Sequence, residues 1–278
     1  FPDLLFLAEI YQPYRYGEYL RAGFDYLYDK VGLYDYLIAL GKGQARAEDF
    51  TAVRDAVGAL QPQMCYFMEN RDEQRLASDF VYRSARRGWL ASAVTALSGT
   101  NPFLLYFGQE LGEAGMDEEG FSGRDGRTTI FDYWSLDKLQ RLEAVDYAVD
   151  KLEGEEASLL ADYRQLTPLY TLPEVSEGGY YGLIPLGQDA EEVIAYMRFH
   201  EQSLLLVLAN FSTNPKEVSL SFPETFFTMA GIKAGSAFRA VDKLSSSVDY
   251  LALTSWASLR FCVGAEELRV LSLTPLES

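Results

Sequence analysis

The sequence has few of the residues that build metal sites, disulfide frameworks or serine triads. Its 278 residues include one histidine, His200, and two cysteines, Cys65 and Cys262. A single histidine cannot supply a histidine-rich metal site or a Ser-His-Asp triad. Two widely separated cysteines do not make a disulfide framework, and we expect both to be free thiols in the core. We therefore predict no metal site and no cofactor, and look for chemistry in other side chains.

Basic residues are also in the minority. The chain has 24 Lys and Arg against 41 Asp and Glu, which gives a net charge of -17. A broad basic patch for nucleic acid or an anionic membrane is therefore not expected. No apolar run is long enough to span a bilayer, and the first residues do not form a signal peptide. Neutral or cationic ligands fit this balance better, carbohydrate among them, and the cellular compartment stays unknown.

Apolar residues are plentiful, at 48% of the chain, which is enough for a large domain and a smaller one. From residue 2 to about 173, short apolar runs alternate with segments of helical periodicity, a pattern typical of βα units and a parallel sheet. Beyond residue 173 the pattern changes to successive strands, which predicts an antiparallel β-sandwich. We therefore predict α/β plus all-β architecture, with domains at 1–173 and 174–278.

Four βα units are predicted in the first domain. The strands are expected at 4–8, 25–28, 64–68 and 103–107, and the helices at 14–22, 47–60, 83–98 and 155–166. Pro168 is expected to end or kink the last helix. Residues 108 to about 154 form a long segment between the fourth strand and its helix, and loops of that length are unusual unless they are functional.

Six strands are predicted in the second domain, at 180–186, 193–200, 203–210, 217–222, 237–241 and 267–273. Residues 199–203 are predicted to form a hairpin turn, because they separate two strongly apolar runs. The segment 245–261 is ambiguous. No internal repeat or low-complexity tract is visible.

Polar side chains follow each of the four predicted parallel strands: Glu9, Asp29, the group Asn70-Arg71-Asp72, and the pair Gln109-Glu110. In a parallel barrel all strand ends open onto one face, so carboxylates that are distant in sequence can meet in one pocket. Glycoside hydrolases typically use a pair of carboxylates to break the glycosidic bond. Acids are also common in loops that only face solvent, so spacing alone leaves both interpretations open.

Sequence motifs narrow this choice. They are FLAE at 6–9, FMENRDEQR at 67–75, GTNP at 99–102 with YFGQE at 106–110, and GRTTIFDYW at 126–134. In this order they resemble the α-amylase superfamily, glycoside hydrolase family 13, over the whole chain. The resemblance implies the second half of a (β/α)8 TIM barrel, beginning at the fifth barrel strand, followed by a C-terminal antiparallel β-sandwich.

The resemblance also implies roles for individual residues. Glu9 matches the general acid/base and Asp72 the stabiliser of the transition state in a retaining hydrolase or transglycosidase of starch, glycogen or maltooligosaccharides. The general acid must carry a proton to give to the glycosidic oxygen, so its carboxyl group has to be kept neutral by apolar surroundings or a nearby negative charge. Glu9 follows an apolar strand. An ionised Asp72 would offset an oxocarbenium-like transition state. Asn70, Arg71 and Tyr11 are the candidate substrate-binding residues.

The chain departs from the family pattern in its catalytic nucleophile. The family nucleophile is an aspartate after the fourth barrel strand, which lies before the start of this sequence. The sequence opens on Phe1 and almost at once on a strand, so we expect the natural start to lie further upstream. We expect this chain alone to be inactive, and to bind the missing half of the barrel or to self-associate through its open edges.

A second departure is Arg71, which stands where the family usually has histidine. Arg71 either donates a hydrogen bond to a sugar hydroxyl or forms a salt bridge that only holds the loop. The alternative function is therefore a catalytically inactive, α-amylase-like protein that binds glucan or has a regulatory role.

Aromatic side chains on the predicted functional face are candidates for stacking on sugar rings. They are Tyr11, Tyr14, Phe131, Tyr133 and Trp134. The acidic run Asp117-Glu118-Glu119 matches no calcium-binding loop, and we interpret it as a solvated surface.

Overall fold

The computed structural model describes residues 3–115, 124–132, 136–187 and 190–276. The predictions for residues 117–119, Tyr133 and Trp134 fall outside these ranges. The chain divides into two compact units. The first comprises residues 1–45, 53–95 and 101–166, and the second comprises 46–52, 96–100 and 167–278. The domain bounds 1–173 and 174–278 stay a prediction.

The first unit contains a four-stranded parallel sheet. Its strands are β1 (Leu7–Ala8), β2 (Tyr26–Tyr28), β3 (Met64–Phe67) and β4 (Phe103–Leu104). They lie in the order β1-β2-β3-β4, and each neighbouring pair is parallel. Strands that follow one another in chain order are what successive βα units of a barrel produce. The loops after these strands therefore meet at one edge of the sheet.

Burial differs sharply between the strands of this sheet. All four residues of β3 are buried, as expected for an inner strand. The apolar run before Glu9, by contrast, is exposed: Leu4 is 56% exposed, Leu5 68% and Phe6 50%. The expectation that this run is a buried strand is wrong, because β1 has a neighbour only on the β2 side among the described residues.

Among the described residues, six α-helices accompany the sheet. They are α1 (Tyr16–Arg21), α2 (Asp35–Gly41), α3 (Phe50–Asp55), α4 (Ala85–Leu97), α5 (Asp137–Ala144) and α6 (Gly154–Tyr170). The predicted helix at 47–60 is broken after α3, where Gly58 takes a φ of +57°. α2 and α5 were not predicted. α6 continues past Pro168 and ends two residues later at Tyr170, so the helix does not end at the proline, and the expected kink stays a prediction.

The described residues of the second unit from 173 on form an antiparallel β-structure with two short α-helices. Its elements are α7 (Pro173–Ser176), β5 (Gly179–Leu183), β6 (Val193–His200), β7 (Ser203–Asn210), β8 (Lys216–Leu220), α8 (Glu224–Ala230), β9 (Ala237–Asp242), β10 (Val248–Ala252), β11 (Leu259–Val263) and β12 (Leu268–Pro275). A six-stranded sheet has the order β10-β9-β12-β7-β6-β5, and β11 pairs with β8 in a second sheet. Side chains of both sheets and of α8 form one core, which includes Leu206, Val218 and Phe226. The predicted sandwich is confirmed.

The hairpin between β6 and β7 is the most accurately predicted feature of this unit. Both strands have the predicted bounds, and His200 pairs with Ser203 around a two-residue turn. The ambiguous segment 245–261 contains β10, an edge strand with mostly exposed residues and no clear alternation. Cys262 is exposed, so its assignment to the core is wrong; its neighbours Phe261 and Val263 take the inward positions of β11.

Candidate functional site

The structure brings Glu9 and Asp72 together at the edge of the parallel sheet through one arginine. The Nη2 atom of Arg71 lies 2.7 Å from Oε2 of Glu9 and 3.2 Å from Oδ2 of Asp72. Glu9 follows β1 and Asp72 follows β3, so the contact joins two strand ends that are separated by β2. We call Glu9, Arg71 and Asp72 the carboxylate–arginine cluster.

Glu9 does not lie in the apolar surroundings expected from its strand. Besides Arg71, it accepts a hydrogen bond at Oε1 from the hydroxyl group of Tyr11. Burial raises the pKa of the Tyr11 hydroxyl, and the hydrogen bond to Glu9 raises it further. Tyr11 therefore holds Glu9 as a hydrogen-bond donor, and its predicted contact with substrate stays a prediction.

Asn70 shapes the loop that presents Asp72. Its side chain is buried, and Oδ1 accepts hydrogen bonds from the main-chain N–H groups of Asp72 at 2.9 Å and Glu73 at 2.8 Å. A side chain that bonds to the backbone two and three residues ahead stabilises a tight turn. The buried Nδ2 atom has no hydrogen-bond partner among the described residues. The predicted contact of Asn70 with substrate stays a prediction.

A second group of side chains beside the cluster was not predicted from the sequence. The Nζ atom of Lys30 lies 3.6 Å from Oε1 of Glu73 and 2.6 Å from Oδ1 of Asp35. The hydroxyl of Tyr34 donates to Oε2 of Glu73 at 3.1 Å, and Lys30 also lies over the Tyr34 ring, 4.7 Å from its centroid. The only sequence signal was the position of Lys30 directly after a strand-end acid.

That strand-end acid, Asp29, is a structural cap. It is buried, and its Oδ2 accepts a hydrogen bond from the N–H of Leu33 at 3.2 Å. Burial raises the pKa of Asp29 to about 6, although the backbone hydrogen bonds act in the opposite direction. A Cβ on Gly32 would lie 2.1 Å from Oδ1 of Asp29, so only glycine fits this turn. Asp29 therefore fixes the turn that carries Lys30 and Tyr34.

A buried ion pair lies under the loop of residues 69–76, which we call the site loop. Nη1 of Arg75 lies 2.7 Å from Oε2 of Glu69, and both side chains are at most 2% exposed. Oε1 of Glu69 accepts from the N–H of Leu76 at 2.8 Å. Burial raises the pKa of Glu69, and these contacts oppose the rise. The Arg75 guanidinium also lies over the rings of Tyr106 and Phe107.

The fourth strand end does not contribute to the cluster. Gln109 is buried, and its Nε2 donates to Oγ of Ser92 at 2.7 Å and to the hydroxyl of Tyr163 at 3.1 Å. The Gln109 side chain therefore points to α4 and α6, where it has a structural role, and does not lie beside the other strand-end residues. Of the four strand ends that polar side chains follow, those of β1 and β3 supply the residues of the cluster.

The carboxylates of the cluster and the neighbouring Tyr11 hydroxyl suit proton transfer, and the carboxylates also suit the stabilisation of positive charge. Within the described ranges, no group of three or more His, Cys, Asp or Glu side chains is placed to hold a metal ion. No helix among the same residues is long and apolar enough to cross a membrane.

The fold has well-matched counterparts among solved structures. No protein-family model matches the sequence, and no curated protein matches it. A noncanonic maltogenic α-amylase, AmyB from Thermotoga neapolitana, is 18% identical, with a TM-score of 0.66 over 98% of this chain and 55% of that one. The α-amylase from Geobacillus thermoleovorans, complexed with acarbose, is 16% identical, with a TM-score of 0.66 over 99% of this chain and 54% of that one.

A third structure, AmyP in complex with maltose, is 16% identical, with a TM-score of 0.66 over 99% of this chain and 56% of that one. The chain thus spans about half the length of the solved structures that it matches. At these identities the likeness establishes the fold: the chain has the architecture of the C-terminal half of an α-amylase structure, barrel strands followed by a β-sandwich.

Proposed function

We propose that this chain carries two of the three catalytic carboxylates of a retaining glycoside hydrolase or transglycosidase of α-glucans. The observation that carries the proposal is the contact of Glu9 and Asp72, from two different strand ends, with one nitrogen of Arg71. The α-amylase fold and the oligosaccharides bound in two similar structures, acarbose and maltose, support starch, glycogen or maltooligosaccharides as the substrate class.

In this proposal the two carboxylates have different roles. Glu9 protonates the departing glycosidic oxygen and later removes a proton from the incoming water or sugar hydroxyl. The hydrogen bond from Tyr11 orients the Glu9 carboxyl group. The Asp72 carboxylate stabilises the positive charge of the oxocarbenium-like transition state. Asn70 holds the Asp72 backbone in position for that task.

The mechanism needs a third carboxylate as nucleophile. Asp29 is the remaining strand-end aspartate, and its buried side chain caps the turn at Leu33 instead of reaching the cluster. We therefore propose that a segment outside this sequence supplies the nucleophile and that the chain alone is inactive.

The edges of the parallel sheet fit the same proposal. Leu5 and Phe6 beside β1, and Leu105 and Phe107 beside β4, are large apolar side chains that are 37% to 68% exposed. A barrel buries such edges against further strands. We propose that the other half of the barrel covers them, and that the chain alone self-associates. A strictly monomeric mass in light scattering at high concentration would argue against this.

Arg71 is compatible with catalysis because its ion pairs are exposed. Its side chain is 43% exposed and that of Asp72 is 49% exposed. Exposed ion pairs contribute about 0.2–1 kcal/mol each, so sugar binding can displace them at small cost. The guanidinium would then be free to donate hydrogen bonds to sugar hydroxyls.

The same contact favours one alternative, a glucan-binding protein without hydrolytic activity. If Arg71 stays between Glu9 and Asp72 when sugar binds, a fixed positive charge lies where the oxocarbenium charge would develop, and this opposes catalysis. Such a protein would bind maltooligosaccharides and leave them intact.

The experiment is an assay of the full-length protein that contains this chain on maltooligosaccharides. We expect cleavage or transfer with retention of the α-configuration, read by NMR of the first product. The Asp72→Asn variant should lose at least about a hundredfold in kcat. Asp79→Asn is the matched control, since Asp79 is a 66% exposed carboxylate of the neighbouring turn. Binding without cleavage would favour the alternative, and full activity of Asp72→Asn would refute the proposal.

A further inference from the structure

Residues 124–132, which we call the strap, lie along the site loop. The main-chain N–H of Arg75 donates to the carbonyl oxygen of Gly126 at 2.7 Å. Gln74 and Arg127 form an isolated antiparallel bridge at the same place. The site loop and the strap are therefore joined backbone to backbone.

Arg127 is the strap residue that contacts Asp72. Its Nε donates a hydrogen bond to the main-chain carbonyl oxygen of Asp72 at 2.8 Å. Its Nη1 lies 2.7 Å from Oδ2 of Asp125, and Oδ1 of Asp125 accepts the main-chain N–H of Arg127 at 3.0 Å. Asp125 thus fixes the direction in which the guanidinium points.

Both main-chain polar groups of Asp72 are consequently held by side chains. Asn70 accepts its N–H, and Arg127 donates to its C=O. The Asp72 side chain itself is 49% exposed, so its position depends on this backbone support more than on packing. Hydrogen bonds at both peptide groups restrict the movement of the exposed Asp72 and so keep its carboxylate in place.

The strap is itself anchored on buried groups. Nε of Arg75 donates to Oγ1 of the fully buried Thr128 at 3.1 Å. The hydroxyl of Tyr106 donates to the main-chain carbonyl oxygen of Thr128 at 3.0 Å. The backbone next to Arg127 is therefore fixed through Thr128. A side chain on a fixed backbone can hold its contact partner in a defined position.

We propose that Arg127 is a positioning residue for Asp72: through the main-chain carbonyl it holds the stabilising carboxylate at the distance that the transition state requires. The inference rests on the proposed function, because it takes Asp72 as the stabiliser. A displacement of about 1 Å in a catalytic group can cost about a hundredfold in rate. Arg127 contacts the Asp72 carbonyl and Asp125, so its loss should lower kcat and leave KM nearly unchanged.

The experiment compares Arg127→Gln, Arg127→Lys and Arg124→Gln in the full-length protein. Arg124 is the matched control, because it is a 61% exposed arginine of the same strap, 3.9 Å from Asp79. For each variant we measure kcat and KM on a maltooligosaccharide, the thermal midpoint, and hydrogen–deuterium exchange of the peptide that covers the site loop. Arg127→Gln should lose about tenfold to a hundredfold in kcat with KM within about threefold. Its site loop should exchange faster, and Arg127→Lys should recover part of both.

Each outcome decides the inference. If Arg127→Gln matches Arg124→Gln in kcat and in exchange, the inference is refuted. If Arg127→Gln does not fold, Arg127→Lys decides: a kcat below that of Arg124→Gln with faster exchange of the site loop supports positioning, and a folded Lys variant that matches Arg124→Gln in both kcat and exchange contradicts it. Asp72→Asn separates the two claims, because full activity of that variant refutes the proposed function. In that case exchange of the site loop alone decides whether Arg127 holds Asp72.

Discussion

Arg71 and Arg75 belong to the same site loop, and each lies 2.7 Å from a glutamate oxygen, yet the two pairs differ in environment. The Arg71 and Glu9 side chains are 43% and 25% exposed, whereas those of Arg75 and Glu69 are at most 2% exposed. The two ion pairs therefore have the same N–O distance but contribute differently to the stability of the fold. Removing one partner of a buried pair leaves an uncompensated charge, at a cost of about 3–5 kcal/mol, while an exposed pair contributes about 0–1 kcal/mol.

The site loop thus has a rigid base and an exposed end. The buried pair, clamped by aromatic rings and by the strap, fixes the base of the site loop. The exposed pair leaves Arg71 free to exchange partners when a ligand arrives. Stability should therefore depend on Arg75 and Glu69, and catalysis on Glu9 and Asp72.

The largest effect on stability is expected from Glu69→Gln. The substitution leaves the buried guanidinium of Arg75 without its counter-charge, so the free energy of unfolding should fall by about 3–5 kcal/mol. Urea denaturation followed by circular dichroism measures this change. A loss below about 1 kcal/mol would mean that the buried pair does not stabilise the loop.

A smaller effect is expected from Asp29→Asn, because burial of the Asp29 carboxylate raises its pKa more than the backbone hydrogen bonds from Leu33 and Gly32 lower it. Its pKa is raised to about 6 in the fold, from 3.8. The folded state thus binds a proton that the unfolded state releases, so ionisation of Asp29 lowers stability as the pH rises from about 4 to about 6, by on the order of 2–3 kcal/mol. Above pH 6 the loss is complete.

Asparagine keeps the acceptor for the Leu33 N–H and cannot ionise. The difference in free energy of unfolding between Asp29→Asn and the parent should therefore favour the variant more at pH 7 than at pH 4. Urea titrations of both proteins at both pH values measure this difference. An equal difference between the two proteins at both pH values would show that Asp29 does not titrate in this range.

The smallest effect on stability is expected from Arg71→Gln. Its ion pairs with Glu9 and Asp72 are exposed, so the free energy of unfolding should change by less than about 1 kcal/mol. The same urea titration checks this, with Glu69→Gln as the contrasting variant. A loss as large as that of Glu69→Gln would erase the distinction between the two arginines.

The sequence predicted the fold class because hydrophobic periodicity reports burial. The bounds of β6 and β7 were read correctly, since both strands are apolar and buried almost throughout. The helix α2 was missed, because it follows an irregular turn that Asp29 caps and Gly32 permits. The exposed run at Leu4 to Leu7 was taken for a buried strand, since composition cannot tell whether a strand has neighbours on both sides.

The candidate site was predicted in part. Strand-end position and motif together selected Glu9 and Asp72, and the structure brings both to Arg71. The contacts of Lys30 and Tyr34 with Glu73, and of Arg127 with Asp72, were not foreseen, because they join loops that lie 39 or more residues apart in the sequence. Such contacts depend on tertiary geometry that no local pattern encodes.

We propose that the exposed carboxylate–arginine cluster carries the chemistry and not the stability. The most direct test is the activity of Glu9→Gln in the full-length protein on a maltooligosaccharide, measured beside its urea midpoint. We predict a loss of at least about a hundredfold in kcat, because glutamine cannot donate the proton, with the urea midpoint unchanged. Activity within about twofold of the parent would contradict the claim.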